Sequence, residues 1–287
     1  MQTNQNIQWF PGHMTKTKRM IEASLKLVDA VAEIKDARIP VSSTNPDIES
    51  LVGAKPRIIL LNKCDMADPS VTAQWIEYYK KHGVYALPID CKSGRGMDKF
   101  IPECRKLLKP VIEKKQSRGI MNPSIRVMIV GIPNVGKSSF INRIVKQNRA
   151  KVEDRPGVTR GNQWFTLDRG FEMLDTPGVL WPKFEDQIVG ERLAFTGAVK
   201  DQILDTELLA VRLLDLLKDI KPAAFIERFK LDTETVSETD SYELLELIGK
   251  RRGMLISGGE VNTERASAML LDEFRAAKLG RITLERP

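Results

Sequence analysis

Gly131-Ile132-Pro133-Asn134-Val135-Gly136-Lys137-Ser138-Ser139 follows the apolar run Val127-Met128-Ile129-Val130 and fits Gly-x4-Gly-Lys-[Ser/Thr], the pattern of a loop that cradles phosphates. A short β-rich run ending at Val130 delivers the chain into a glycine-bounded turn. The backbone N–H groups of such a turn, with the N-terminus of the helix behind it, favour a polyphosphate. Lys137 is then the side chain that reaches the β- and γ-phosphates and Ser138 the magnesium ligand, with Val135, Gly136 and Ser139 completing the cradle.

Upstream of this loop, Arg57 to Leu61 reads as a buried strand with Asn62-Lys63-Cys64-Asp65 directly at its end. The tetrapeptide fits Asn-Lys-x-Asp, in which the aspartate accepts from the N1 and N2 donors of guanine while the asparagine and lysine brace the nucleotide site. A strand-like run, Val84 to Ile89, then ends in Asp90-Cys91-Lys92-Ser93-Gly94. Guanine-nucleotide proteins carry a Ser-Ala-Lys-like loop at this place. Asp90 departs from that pattern, so contact with the base is expected mainly from the backbone N–H groups of Asp90 and Cys91. Downstream of the phosphate loop, Phe140 to Val145 continues a helix, and Lys151 to Asn162 reads as a loop carrying Thr159. Trp164 to Leu167 and Phe171 to Leu174 form a hairpin pair, the second strand ending in Asp175-Thr176-Pro177-Gly178. Strands alternating with helices predict an α/β sheet with its ligand at the carboxyl ends of the strands.

The flanks are helical. Helical spacing follows the Pro11-Gly12 turn, Val28 to Ile34 reads as a strand, and Pro46 to Val52, Val71 to His82 and Met97 to Lys115 read as helices. In the last third, Ile203 to Leu217 is thickly apolar, Pro222 suits a first helical turn, and Asp240 with Glu243 forms a capping box for a helix to Gly253. Asn262 to Leu279 makes a final helix closed by Gly280. The predicted organisation is a nucleotide-binding domain over residues 1–200 and a small all-α domain over 201–287.

The formal net charge of +7 is uneven, with 31 Lys and Arg against 21 Asp and Glu in residues 1–199 and 14 against 17 from Lys200 onward. Such a balance suits a polyanion such as RNA. Two basic sets are expected to touch it: Lys16, Lys18 and Arg19 near the N-terminus, and Lys250, Arg251, Arg252, Arg275 and Lys278 in the distal helices. The three cysteines, Cys64, Cys91 and Cys104, have no Cys-x2-Cys pairing or His partner, which argues against a disulfide framework or zinc site and for a reduced, cytoplasmic setting. No run has the length of a membrane span or a signal-peptide core, so a soluble, unprocessed chain is expected.

Taken together, these motifs supply the parts of a GTP-binding domain in rotated order, the base-reading motifs first. The chain therefore resembles the circularly permuted GTPases. Trp9-Phe10-Pro11-Gly12-His13-Met14 and Asp36-Ala37-Arg38-Ile39-Pro40 resemble the YlqF-type ribosome biogenesis GTPase A family. That resemblance implies an α/β, circularly permuted phosphate-loop GTPase domain followed by the all-α domain, with GTP or GDP, magnesium and potassium as ligands. It also implies a partner in the large ribosomal subunit, its rRNA and proteins, for a protein that is a monomer off the ribosome. By analogy with phosphate-loop GTPases, Lys137 neutralises phosphate charge, Asp175 and Thr159 join Ser138 around magnesium, and Gly178 offers its N–H to the γ-phosphate. The family suggests Asn134 as a potassium ligand and His13 as a group in hydrolysis. Val179 occupies the position of the water-orienting glutamine of Ras-like enzymes, so unaided hydrolysis is expected to be slow. The permutation makes the segment from Gly178 through Trp181 and Phe184 both switch and connector to the helical domain. Two other readings stay open on the residues alone: a phosphate-loop kinase acting on a small metabolite, and a passive nucleotide-binding module.

Overall fold

The computed structural model describes residues 14–148, 151–153, 163–167, 170–176, 186–199 and 205–287, with backbone alone for 14–18, 47–49 and 151–153. The first half runs α1 (Met14–Leu25), β1 (Ala30–Asp36), α2 (Pro46–Val52), β2 (Arg57–Asn62), α3 (Pro69–Lys81), β3 (Tyr85–Pro88), a 3-10 turn (Met97–Lys99), α4 (Phe100–Leu107) and α5 (Lys109–Ser117). It continues with β4 (Ile125–Val130), α6 (Lys137–Gln147), β5 (Lys151–Glu153), β6 (Gln163–Leu167) and β7 (Phe171–Asp175). The described remainder is helical: α7 (Gln187–Phe195), α8 (Thr206–Ile220), α9 (Pro222–Phe229), α10 (Thr233–Glu238), α11 (Ser241–Arg251) and α12 (Thr263–Arg275).

The described strands form one sheet in the order β3-β2-β1-β4-β7-β6-β5. β1 pairs in parallel with both β2 and β4, whereas β6 lies antiparallel to β7 and β5. The chain winds outward from β1 to β3, then jumps back to lay β4 beside β1 and winds the other way. The order therefore reverses between β1 and β4, and the carboxyl ends of these two strands open the crevice where such sheets bind ligands. On one face Ile21, Leu25 and Val52 from α1 and α2 pack on Val31, Met128, Val130 and Leu174, and Trp75 and Tyr79 of α3 pack on Ile59 and Leu61. Phe100 of α4 and Phe140 of α6 meet edge to face at 5.0 Å within the core of the opposite face. That apolar core continues without a break through Ile132 and Val135 to Leu193, Leu213, Leu245 and Leu270 of the later helices.

Three boundaries differ from the sequence expectation. Lys151–Glu153, read as loop, is a strand whose Val152 registers with Phe165; three residues are too few to show a period of two. The helix over 97–115 is divided at Leu108. Bonds from Leu108 N to Cys104 O and from Ile112 N to Leu108 O span the junction, while Pro110 has no N–H to give the carbonyl four residues back, which is the physical cause of a break there. The final helix ends at Arg275, not Leu279, because Ala277 takes a left-handed φ of 56°. The caps agree with expectation: Asp240 accepts from the N–H of Tyr242 and Glu243, and Asn262 from that of Arg265.

The C-terminal tail returns to the sheet. Ile282 N donates to Met66 O, Leu284 N to Arg38 O, and Trp75 Nε1 to Glu285 O. The Glu285 carboxylate, 4% exposed, accepts from Ser42 N at 3.1 Å, from the Ser42 hydroxyl and from Arg192 Nη1 at 3.2 Å. Removing it leaves buried donors unpaired, so Glu285→Ala should cost about 3 kcal/mol. Urea unfolding of the full chain checks this; a loss below about 1 kcal/mol would place the tail outside the cooperative unit.

Candidate functional site

Asn62, the last residue of β2, sits at the centre of the crevice. Its Nδ2 donates to Val135 O in the phosphate loop at 2.7 Å, and its Oδ1 accepts from Cys91 N in the loop after β3 at 3.0 Å. One amide thus ties the two base-reading stretches to the phosphate loop. Gly136 is required at this joint: its φ is 99°, and a Cβ there would meet Asn62 Nδ2 at 2.2 Å. Gly131 is required by close approach, since a Cβ would lie 2.8 Å from Ile34 O of β1.

Helix α6 starts at Lys137 with Gly136 as its cap, and no side chain bonds to that end. The first N–H groups of a helix have no intrahelical acceptor, so the backbone of Lys137, Ser138 and Ser139 is electrostatically prepared for an anion. Ser138 and Ser139 are both exposed there. The Lys137 ammonium is held by the Asp175 carboxylate at the end of β7, which brings together the phosphate-reaching lysine and the carboxylate expected near magnesium. Asn134 takes a left-handed φ of 62° and donates from Nδ2 to Gly197 O at 3.2 Å and Ala198 O at 3.4 Å. Its Oδ1 is the atom left to offer a cation.

Lys63 also adopts a left-handed φ, 60°. Its ammonium donates to Asn134 O at 3.0 Å and pairs with Asp36 Oδ2 at 3.0 Å. Asp65 is half-buried at the end of the Asn-Lys-x-Asp stretch, and its charge is felt by Cys91 and Arg95 of the loop after β3. The loop after β3 spends its N–H groups internally: Asp90 N donates to Arg95 O, Cys91 N to Asn62 Oδ1 and Lys92 N to Asp90 Oδ1. The N–H groups of Asp90 and Cys91, the donors expected at the base, are thus engaged by Arg95 O and Asn62 Oδ1. Asp90, where the usual pattern has serine, folds the loop back on itself. Burial pushes its carboxyl up, but donation from Ser93 and from the Lys92 and Ser93 N–H groups outweighs this and leaves it below the usual range. Arg143 of α6 fastens the same loop by donating to the Lys92 and Ser93 carbonyls. Burial pushes the Cys91 thiol up to about 12, which keeps it protonated and unreactive.

Asp36 and Arg38 were legible only as part of a resemblance, and here they have a role. Both are 2% exposed. Arg38 grips Asp36 through Nε at 3.0 Å and Nη2 at 2.8 Å, points its other donors toward Arg275 O and Thr196 O, and lies over the Phe274 ring. Lys63 of the base-reading motif and the helices after β7 are thereby fixed to one carboxylate. Nothing in the spacing of residues 36 and 38 shows that the carbonyls Arg38 reaches lie more than 150 residues away.

The basic residues fare unevenly. Arg275 is occupied, donating to Ala194 O at 2.8 Å and Phe195 O at 3.2 Å. Arg252 pairs with Glu273 and lies over Phe229, and Arg251 donates to Lys230 O. These three hold the helices together, because an arginine near a helix end finds carbonyls and carboxylates before solvent. Lys250, Lys278 and Arg19 are exposed. The side chains of Lys16 and Lys18, and all of His13, Thr159, Gly178, Val179, Trp181 and Phe184, lie outside the described residues.

Burial pushes the Asp36 carboxyl up, but the charges of Arg38 and Lys63 and the hydrogen bonds from Arg38 hold it well below the usual carboxylate range. A depressed folded-state value gives stability that is full above the unfolded value of about 4 and fades as pH falls through the folded one. Asp36→Asn should cost about 3 kcal/mol at neutral pH by leaving two cations without their partner. Urea unfolding at several pH values should find this gap constant down to about pH 4 and narrowing only below it. A gap independent of pH throughout the acid range would remove the ion pair as its cause.

A family model described as 50S ribosome-binding GTPase matches residues 126–242. A Ribosome biogenesis GTPase A of Bacillus cereus is 48% identical over 281 residues, covering 98% of this chain and 94% of that protein. GDP-bound TM YlqF superposes with a TM-score of 0.68 at 29% identity, covering 94% of this chain and 99% of that one. GNP-bound YlqF from T. maritima gives 0.66 at 28% identity, covering 95% and 98%. The circular permutation read from the motif order is the architecture of these structures. On its near full-length likeness to such relatives, the chain belongs to the ribosome biogenesis GTPase A family and is a GTPase.

Proposed function

We propose that this GTPase binds GTP and GDP in the crevice between β1 and β4 and uses the nucleotide state to control a late step in assembly of the large ribosomal subunit, with turnover stimulated by the particle. The observation that carries the guanine reading is the Asn62 amide, which holds the Asn-Lys-x-Asp stretch, the loop after β3 and the phosphate loop at one place. An adenine-specific kinase has no use for that stretch, which disfavours the metabolic reading. The names of the family model and relatives, which refer to the 50S ribosome and to ribosome biogenesis, support the particle as partner. Among the described residues no helix is long and apolar enough to cross a membrane, and we infer a cytoplasmic protein that is monomeric off the ribosome.

The Ser138 hydroxyl and Asp175 carboxylate are oxygen donors of the kind magnesium takes, and the uncapped N-terminus of α6 fits the phosphates it accompanies. These two residues would hold magnesium, which would supply neutralisation of phosphate charge. Lys137 is paired with Asp175 across the mouth of the loop, so an arriving polyphosphate exchanges one anionic partner of the lysine for another. By analogy with phosphate-loop GTPases Thr159 would join the magnesium ligands and Gly178 would offer its N–H to the γ-phosphate, while Asn134 would be a ligand for potassium. Because Val179 cannot orient water, we assign the missing group to His13. The described contact from Asn134 to Gly197 and Ala198 gives the nucleotide a route to the helical domain, which we assign to residues 201–287, besides the covalent one through Trp181 and Phe184. RNA is the polyanion expected at Lys16, Lys18 and Arg19 and at the exposed Lys250 and Lys278.

Asp65→Asn should weaken GTP binding at least about tenfold, or 1.4 kcal/mol, and favour xanthine nucleotide, whose C2 oxygen suits a donor. Competition between GTP and XTP measures it, and an unchanged preference for GTP would remove Asp65 from base reading. Hydrolysis of GTP with and without purified large subunits tests the function itself. Stimulation by wild type and its loss in His13→Ala, with GTP affinity retained, is the expected pair of results. Full stimulation of the variant at saturating subunits would exclude His13 from the chemistry.

A further inference from the structure

We infer that α4 and α5 form an RNA-docking face separate from the two basic sets read from the sequence. Between Lys92 and Arg118 the chain carries nine Lys and Arg against three Asp and Glu, an excess of six in a protein whose whole net charge is +7. Lys99, Lys106 and Lys114 are exposed; Lys99 closes the 3-10 turn, Lys106 follows it by seven residues, close to two helical turns, and Lys114 lies on α5 beyond the break at Leu108. Run end to end, Phe100 to Ser117 makes a track of at most about 27 Å at 1.5 Å per residue, shorter than one turn of a duplex, about 34 Å. Lys92 and Arg95 extend the charge into the loop after β3.

A second observation separates this face from an ordinary solvated helix. None of the nine residues of α5 is buried; its apolar side chains, Val111 and Ile112, are half-buried and packed on the core. A helix that is polar nearly all round draws little stability from packing. What holds α5 is Lys115, whose ammonium pairs with Asp29 and donates to Ser124 O. Lys109, Lys114 and Arg118 around it stay exposed. Its exit places Ile120 at 49% and Met121 at 88% exposure, beside the exposed Arg118, giving the cationic track an apolar end of the kind that packs against bases or sugars. The acids on the face do not neutralise it. Lys106 pairs with Glu103 and Lys109 with Glu113 while the lysines stay 72% and 75% exposed. Pairs this open hold weakly, and a phosphodiester backbone displaces them readily. By contrast, Arg252 and Arg275 of the distal set are tied to Glu273 and to the α7 carbonyls and are less available to RNA.

This inference rests on the reading that the partner is a ribosomal particle, and it adds which face meets the RNA. The test uses the full chain with Lys99→Glu, Lys106→Glu and Lys114→Glu combined, and the Gln triple as a second variant should the Glu triple fold poorly. Affinity for purified large subunits is measured across a series of KCl concentrations, with GDP affinity and unaided GTP hydrolysis as controls. Both controls should stay at wild-type values. Subunit affinity should fall about tenfold or more, and the slope of log affinity against log salt should flatten by about 2 to 3, which is about 0.9 for each duplex phosphate that a lysine no longer neutralises. Wild-type affinity and slope in both triples would overturn the assignment of this face while leaving the ribosomal function standing. Failure of wild type to bind subunits at all would overturn that function and this inference with it. Retention of wild type on phosphatidylserine vesicles, abolished in the triples, with no effect on subunit binding, would make the face a membrane surface and overturn the RNA assignment.

Discussion

A primary amide presents a donor and an acceptor on one rigid plane, and Asn62 uses both, donating to Val135 O and accepting from Cys91 N. Aspartate would lose the donor and leucine both, each leaving a buried backbone group unpaired. The geometry of the crevice follows from that bond. It fixes how far the base-reading loops stand from the phosphate loop, and so how long a ligand must be to touch both. Gly136 exists at its position because any larger residue would push this amide away.

A circular permutation leaves such a bond untouched. Asn62 and Val135 are far apart in the chain, but what matters to the site is that β1 and β4 lie side by side with their carboxyl ends at the same edge. The permutation acts on connectivity. The base-reading half is folded through β3 before the chain makes the phosphate loop, and the helices after β7 follow directly on the Asp175 motif. Asp36, Arg38 and Asn134 then connect what the rotated order has separated, since Asp36 touches Lys63 while Arg38 and Asn134 reach the carbonyls around Thr196 to Ala198. The contacts of Asp36 and Arg38 are buried and charge-assisted, so they couple the crevice firmly to the helices.

Surface charge obeys a different rule. An arginine near a helix terminus is drawn to the nearest carbonyls and carboxylates, and Arg251, Arg252 and Arg275 are taken up in that way. Lysines on a long outward face with few acids are held loosely or not at all, and the positive field of the molecule is concentrated where the fold leaves them. A tally of charges along the chain cannot separate these two fates, because it counts residues and not their neighbours.

Most strand and helix identities and the reversal of winding implied by the motif order were legible in the sequence. They depend on local periodicity, on glycines at fixed spacing and on residue types whose chemistry is the same in any fold. Tertiary structure alone decided the rest. That Asn62 bonds Val135, that Asp36 carries Lys63 and Arg38 together, that Asp90 closes its own loop instead of offering N–H groups, and that Lys151–Glu153 is a strand are facts of contact between segments distant in sequence or of a pairing too short to show a period. Hydrogen bonds and ion pairs are chosen by what burial brings within about 3 Å, and burial is settled only when the sheet, the helices and the returning C-terminal tail have packed.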